Sequence, residues 1–197
     1  AEKFSNSTAL VCDNKNYTYR EINSISNRFA HLLRTKYDLK KNDVVLFHFK
    51  RSYEAVITLL SLLKLGCTYV PIVKEFGQAR IEFIHGFVEP RLVISDTMGA
   101  ISKGPLLCYP ELVDEIKSYP DTPLPDISTE LDPLCILFTS GSTGMPKGVL
   151  IHNKGIVNRI NWMLREQPIH SGEYTFQNTK FTTVDSLWEI FSPLVSG

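Results

Sequence analysis

No Cys-x-x-Cys pair occurs among the four cysteines, and no histidine cluster stands beside any of them. Cys12, Cys67, Cys108 and Cys135 therefore read as core or surface thiols, not as a metal site or a disulfide framework, and the expected setting is a reducing cytoplasm. Charge of one sign is also missing. Twenty-one basic residues balance 21 acidic ones, so no net field draws the chain to nucleic acid or to an anionic membrane surface. Long apolar runs are absent as well. The longest, 55–63, stops at Lys64 and is too short to cross a bilayer. The first residues do not read as basic then apolar, so no secretory signal is expected, and there is no internal repeat or low-complexity tract.

What is present is the composition of a globular protein. The chain has 197 residues, 43% hydrophobic and 21% charged, enough for one domain or for a domain and a piece of another. Thr18 and Glu21 have capping-box spacing. Ile22, Ile25, Phe29, Leu32 and Leu33 follow at helical intervals and predict an amphipathic helix. VVLFHF (44–49) reads as a strand, Ser52 as the cap of a second helix running to Leu65, and Gly66 as its stop. CTYVPI (67–72) and RLVIS (91–95) are further strands around a helix at 79–88. Proline at 120, 123, 125 and 133 marks an extended connector over 118–133. LCILF (134–138) is a buried strand, 153–166 a helix, YTFQNTKF (174–181) a strand and 184–195 a final helix. The alternation predicts an α/β fold with a mainly parallel sheet flanked by helices.

In such folds ligands gather at the C-terminal ends of strands. There, after LCILF, the chain reads TSGSTGMPKGV. Gly141, Gly144 and Gly148 permit close backbone approach. The amides and the hydroxyls of Thr139, Ser140, Ser142 and Thr143 can surround phosphate oxygens, and Lys147 adds a compact cation. It is not a Walker A loop: Pro146 precedes the lysine where glycine belongs, and Gly148 follows it in place of Ser or Thr.

The full string resembles the phosphate loop of the adenylate-forming superfamily: acyl-CoA synthetases, luciferases and the adenylation domains of nonribosomal peptide synthetases. YTYREINSISNRFAHLLR, LLKLGCTYVPI, NKGIVNRINWM and SLWEIFSPLVSG resemble segments of the peptide-synthetase branch, so the likeness runs from about Ala9 to Gly197. It implies that 1–197 is the N-terminal portion of an AMP-binding adenylation domain without its C-terminal subdomain. The implied reaction is ATP-dependent activation of a small carboxylic acid as an acyl-adenylate, with magnesium, for loading onto the phosphopantetheine thiol of a carrier domain. The implied partners are that acid, the carrier and the rest of the adenylation domain. The family's acidic magnesium residue, ribose-binding aspartate and catalytic lysine all fall beyond Gly197, so this chain alone is expected to be inactive and to expose surface that the remainder covers. Lys147 is not that catalytic lysine.

One departure concerns the substrate. The branch usually carries Phe-Asp-x-Ser before Trp-Glu, the aspartate pairing with an α-ammonium group. Aligned on Ser186, Trp188 and Glu189, this chain reads TVDSLWE. Val184 stands where the aspartate belongs and Asp185 follows it, with Trp188 as the expected pocket wall. An ammonium buried beside valine lacks its partner, an imbalance of roughly 3–5 kcal/mol. Three readings follow: an amine set further along the substrate, as in a β-amino acid; no amine, as in aryl or hydroxy acids; or a one-residue bulge returning Asp185 to the usual place. Alternative functions are a stand-alone acyl- or aryl-CoA or carrier ligase and a catalytically silent docking module. His152 is expected to make a local hydrogen bond, Glu189 to orient neighbours, Asn158 and Arg159 to serve helix packing and solvation, and Lys40-Lys41 to form a solvated turn.

Overall fold

The computed structural model describes residues 3–99, 104–140 and 145–197. The chain opens with a hairpin, β1 (Thr8–Cys12) and β2 (Lys15–Thr18), which sequence patterning missed. Asp13 and Asn14 between the strands have φ of 49° and 60°, the left-handed pair that a tight two-residue turn demands and that Asp and Asn tolerate. Helix α1 (Tyr19–Lys36) then starts on a complete capping box, with the Glu21 amide donating to Thr18 Oγ1 and the Thr18 amide to Glu21.

Four strands and three helices follow: β3 (Val44–His48), α2 (Tyr53–Lys64), β4 (Thr68–Ile72), α3 (Gln78–Val88), β5 (Leu92–Ser95), β6 (Leu106–Cys108) and α4 (Tyr109–Lys117). Ser52 caps α2 through the Ala55 amide, and Gly66 stops it at φ 66°. The last third holds β7 (Pro133–Ser140), β8 (Pro146–His152), α5 (Asn153–Glu166) and α6 (Asp185–Ser196). Among the described residues six strands form one sheet in the order β6-β5-β3-β4-β7-β8. All neighbours are parallel except β7 and β8, so the sheet is mainly parallel with helices on both faces. No helix among the described residues is long and apolar enough to cross a membrane.

Strand periodicity sorts the core. Val45, Phe47, Tyr69, Leu92, Ile94, Cys135 and Leu137 point to the side covered by α1, α2, α4, α5 and α6. Leu46, Val70, Ile72, Val93 and Phe138 point to the opposite side, against Ile81 and Ile84 of α3. Such alternation within runs that are apolar throughout marks strands buried on both faces. All four cysteines are free thiols.

One expectation needs correction. YTFQNTKF forms no strand: the segment lies between α5 and α6 with no ladder partner among the described residues. The polar loop after β7 is shorter than its glycines suggest, because 146–152 pairs back on β7 as β8. Lys41, partly exposed at its turn, also ties down a neighbouring segment. It bonds to Asp132 Oδ2 and donates to the Ile127 carbonyl, both at 2.7 Å. With Asn27 and Arg28 on the Asp121, Lys117 and Tyr119 carbonyls, it fastens the irregular stretch 120–129 to the sheet-bearing body.

Candidate functional site

Strand β3 is followed in sequence by β4 on one side of it and by β5 on the other. That reversal places a crevice at the carboxyl ends of the parallel strands, and β7, parallel to β4, ends at the same level with Thr139 and Ser140. Gly141, Ser142, Thr143 and Gly144 lie outside the described residues. On either side of them the ladder is regular: Ser140 faces Pro146, Thr139 faces Lys147 and Phe138 faces Gly148. Thr139 Oγ1 donates to the Lys147 carbonyl over 3.5 Å, and both side chains are exposed.

Gly148 owes its identity to packing. A Cβ there would stand 3.0 Å from Ile136 Cγ2 and 3.3 Å from Phe138 Cζ. Ile136 and Phe138 belong to the α3 side of the sheet, so Gly148 and Leu150 face that side and Lys147, Val149 and Ile151 face the other. Arg80 of α3, which the sequence reading passed over, stacks on Phe76 at 4.1 Å and donates from Nη2 to the Phe138 carbonyl at 3.2 Å. It fixes the strand end from which the loop departs. Nothing in the local sequence signals this contact, which depends on a helix 58 residues away in the chain.

On the face shared by Lys147 and Ile151, helices α5 and α6 enclose a cleft of about 160 Å³ lined by Ile151, Gly155, Ile156, Arg159, Val184, Asp185 and Trp188. All three residues expected in the acid pocket thus meet in one place. Asp185 Oδ1 accepts from Trp188 Nε1 at 2.9 Å, which fixes the carboxylate and leaves its second oxygen free to take another donor. Val184 has helical angles, φ −62° and ψ −29°, and the Leu187 amide already bonds its carbonyl. Val184 leads directly into the helix, after a turn closed by the Thr183 amide on the Lys180 carbonyl. Val184 and Asp185 both border the cleft. Arg159, expected to serve helix packing and solvation, borders it too, its guanidinium 4.7 Å above the Trp162 ring.

The remaining polar groups support the framework. His152 Nδ1 donates to the Leu131 carbonyl at 2.7 Å, the local bond expected of it. Glu189 Oε2 accepts from the Asn178 and Thr179 amides and from Thr179 Oγ1, at 2.8 to 3.0 Å, so it orients the segment before α6. Among the described residues no three His, Cys, Asp or Glu side chains gather as a metal cage.

The family model for AMP-binding enzymes matches residues 1–197. The chain belongs to the AMP-binding enzyme family. Tyrocidine synthase 3 of Brevibacillus parabrevis is 30% identical over 200 residues, which is 100% of this chain and 3% of that relative. The N-terminal subdomain of Klebsiella oxytoca NpsA, solved in complex with 3-hydroxyanthranilyl-AMSN, matches with a TM-score of 0.86 at 29% identity, over 100% of this chain and 49% of that one. An artificially fused adenylation–PCP di-domain from the same organism, NpsA-ThdA, gives 0.90 at 29% identity, over 100% of this chain and 39% of that one. Within the AMP-binding family the chain is the N-terminal portion of an adenylation domain of the nonribosomal peptide synthetase type. It spans about half the NpsA subdomain and 3% of tyrocidine synthase 3.

Proposed function

We propose that this chain supplies the phosphate loop and one wall of the acid pocket of an ATP-dependent carboxylate-activating enzyme. The observation that carries the reading is the shared face of β8. Lys147 at one end and Ile151 in the cleft lining point the same way, four residues or about 13 Å apart along an extended strand. A triphosphate held by Thr139, Ser140, Gly141, Ser142, Thr143, Gly144 and Lys147, and an acid held by Val184, Asp185 and Trp188, would then lie along one surface. Chemistry between them needs no base in this chain, since a carboxylate nucleophile is already ionised near neutral pH. Its oxygen bonds to the α-phosphorus as the bond to the β-phosphate oxygen breaks, giving acyl-adenylate and pyrophosphate. Lys147 and the loop donors would offset the charge on the departing phosphates. Magnesium would accompany the nucleotide; the described residues offer it no cage of their own.

For the acid we infer an amine one carbon further from the carboxyl than in an α-amino acid, a class that includes 2-aminobenzoates. Support comes from Asp185, oriented by Trp188 at a cleft whose neighbouring lining residue is Val184. The 3-hydroxyanthranilyl group bound by NpsA carries its amine at that distance, on an aromatic ring. A second reading, an acid without any amine, draws on the apolar Ile151, Ile156 and Val184. The acceptor in our reading is a carrier thiol, supported by the adenylation–PCP pairing of the NpsA-ThdA fusion.

Carboxylate-dependent ATP–pyrophosphate exchange on the protein with its natural downstream sequence tests both parts. β-Amino or 2-aminobenzoic acids are expected to drive exchange. Asp185→Asn should lower it roughly 10- to 100-fold for those acids, the worth of one charged hydrogen bond, and leave amine-free acids unaffected. Preference for an α-amino acid would overturn the substrate assignment. Silence with every acid, from folded protein, would favour a docking module.

A further inference from the structure

At the carboxyl end of β7, Thr139 faces Lys147 across the ladder. The side of β7 away from β8 is held there in an uncommon way. β4 pairs with β7 at Tyr69 and Cys135 and at no later residue among those described. Continued by two residues, that register would set Pro71 against Leu137, and proline has no N–H to offer a neighbouring strand. A side chain takes over one residue further on: Arg80 Nη2 donates to the Phe138 carbonyl at 3.2 Å.

The guanidinium is itself oriented. Phe76, in the short turn 74–76 before α3, stacks against it at 4.1 Å, which fixes the plane of its fork. Yet Arg80 Nε is buried with no partner among the described residues. An arginine is a poor choice for stability alone at such a place, because a buried donor left unpaired costs free energy. Nor does the strand need Arg80 in order to stay buried. The Phe138 side chain lies in the core on the α3 side and meets Phe87 edge-on, ring centroids 5.8 Å apart. Packing holds the Phe138 ring, and Arg80 holds its carbonyl.

We propose that Arg80 is a positioning residue for nucleotide binding: by fixing the Phe138 carbonyl it sets the angle at which Thr139 and Lys147 meet the ATP phosphates. This rests on the phosphate-loop reading given above. Arg80 grips the root of the hairpin and leaves the nucleotide to others, so its loss loosens the donors without removing one. A grip weakened equally in the ground state and in the transition state raises KM and leaves kcat nearly unchanged. The acid is held elsewhere, between α5 and α6, and its KM stays as it was.

Two readouts on the protein with its natural downstream sequence test this: pyrophosphate exchange with ATP and acid titrated separately, and amide hydrogen exchange over 137–140 and 147–149. Arg80→Met keeps an apolar stem against Phe76 and loses the donor. It is expected to raise KM for ATP about 10-fold, with kcat and the KM for the acid within about 2-fold of wild type, and to speed exchange of those amides about 10-fold. Arg80→Lys, which can still reach the carbonyl, should restore both. An unchanged KM for ATP in Arg80→Met overturns the proposal. So does a lysine variant that recovers ATP affinity while the amides stay fast, since the charge and not the anchor would then be acting. A rise in both KM values together with a lower melting temperature marks a general structural role and overturns it as well. If the wild type activates no acid, the proposed function falls, and the amides alone still judge the anchor; unchanged amides in an active enzyme sink the anchor and leave the function standing.

Discussion

At Gly148 a single missing methylene governs how closely β8 approaches the α3 side of the sheet. With Ile136 Cγ2 and Phe138 Cζ only 3.0 and 3.3 Å from where a Cβ would stand, Gly148→Ala requires both side chains to give by a few tenths of an ångström. The expected cost is about 1–3 kcal/mol, as for other overpacked sites, read as a lower urea midpoint with an unchanged slope. Asp185 and Trp188 show a different economy of residues: the indole N–H that orients the carboxylate comes from three positions on, where the helix brings the two side chains together. Substituting Trp188 would therefore disturb Asp185 as well as the cleft wall.

At the level of elements, α1 depends on its first turn. The reciprocal bonds between Thr18 and Glu21 satisfy two amides that the helix cannot, and they also hold Glu21 below the usual carboxylate range, chiefly through the Thr18 amide. Thr18→Ala is expected to lower stability by about 1 kcal/mol, measurable as a drop in melting temperature with no change of activity once the full domain is assayed. This cap was legible in the sequence because its partners are three residues apart. So were β3, β4, β5, β7 and helices α1, α2, α3, α5 and α6, whose periodicity or stop signals are local. The hairpin β1–β2 is short and only half-buried, and its Asp-Asn turn is a weaker signal than Asn-Gly. α4 begins with Tyr109-Pro110, a start that gives no side-chain cap bond. β8 was hidden by its glycine and its exposure, and 174–181 has the pattern of a strand without a neighbour to pair with. The cleft was legible in part: Val184, Asp185 and Trp188 came from motif comparison, whereas the bond from Arg80 to the Phe138 carbonyl is one that no local spacing encodes.

Across the whole molecule, the buried thiols give the fold a sign for its response to alkali. Burial pushes Cys67 and Cys135 up to about 12. A folded value raised above the unfolded one, near 9, means that the native state keeps a proton the unfolded chain gives up. The stability contributed is complete below about pH 9 and is lost as pH rises toward 12, by roughly 1.4 kcal/mol per pH unit for each thiol. Lys64 acts in the opposite sense. Burial lowers it to about 8, while Asn23, Ser26 and Asn27 oxygens at 2.6 to 3.2 Å favour its charged form. Between about pH 8 and 10.5 it offsets at most one thiol. Denaturant titrations from pH 8 to 11 should show a net fall above pH 9, and C67S/C135S should be less stable at pH 8 yet flatter in its alkaline decline.

The close contact beneath Phe138 also works as a register key. Because side chains alternate along a strand, sliding β8 by one residue would turn Lys147 to the α3 side and bring a side chain against Ile136 and Phe138, where a Cβ is already tight. The misaligned pairing is thereby disfavoured, and Lys147 stays on the sheet face that carries the cleft between α5 and α6.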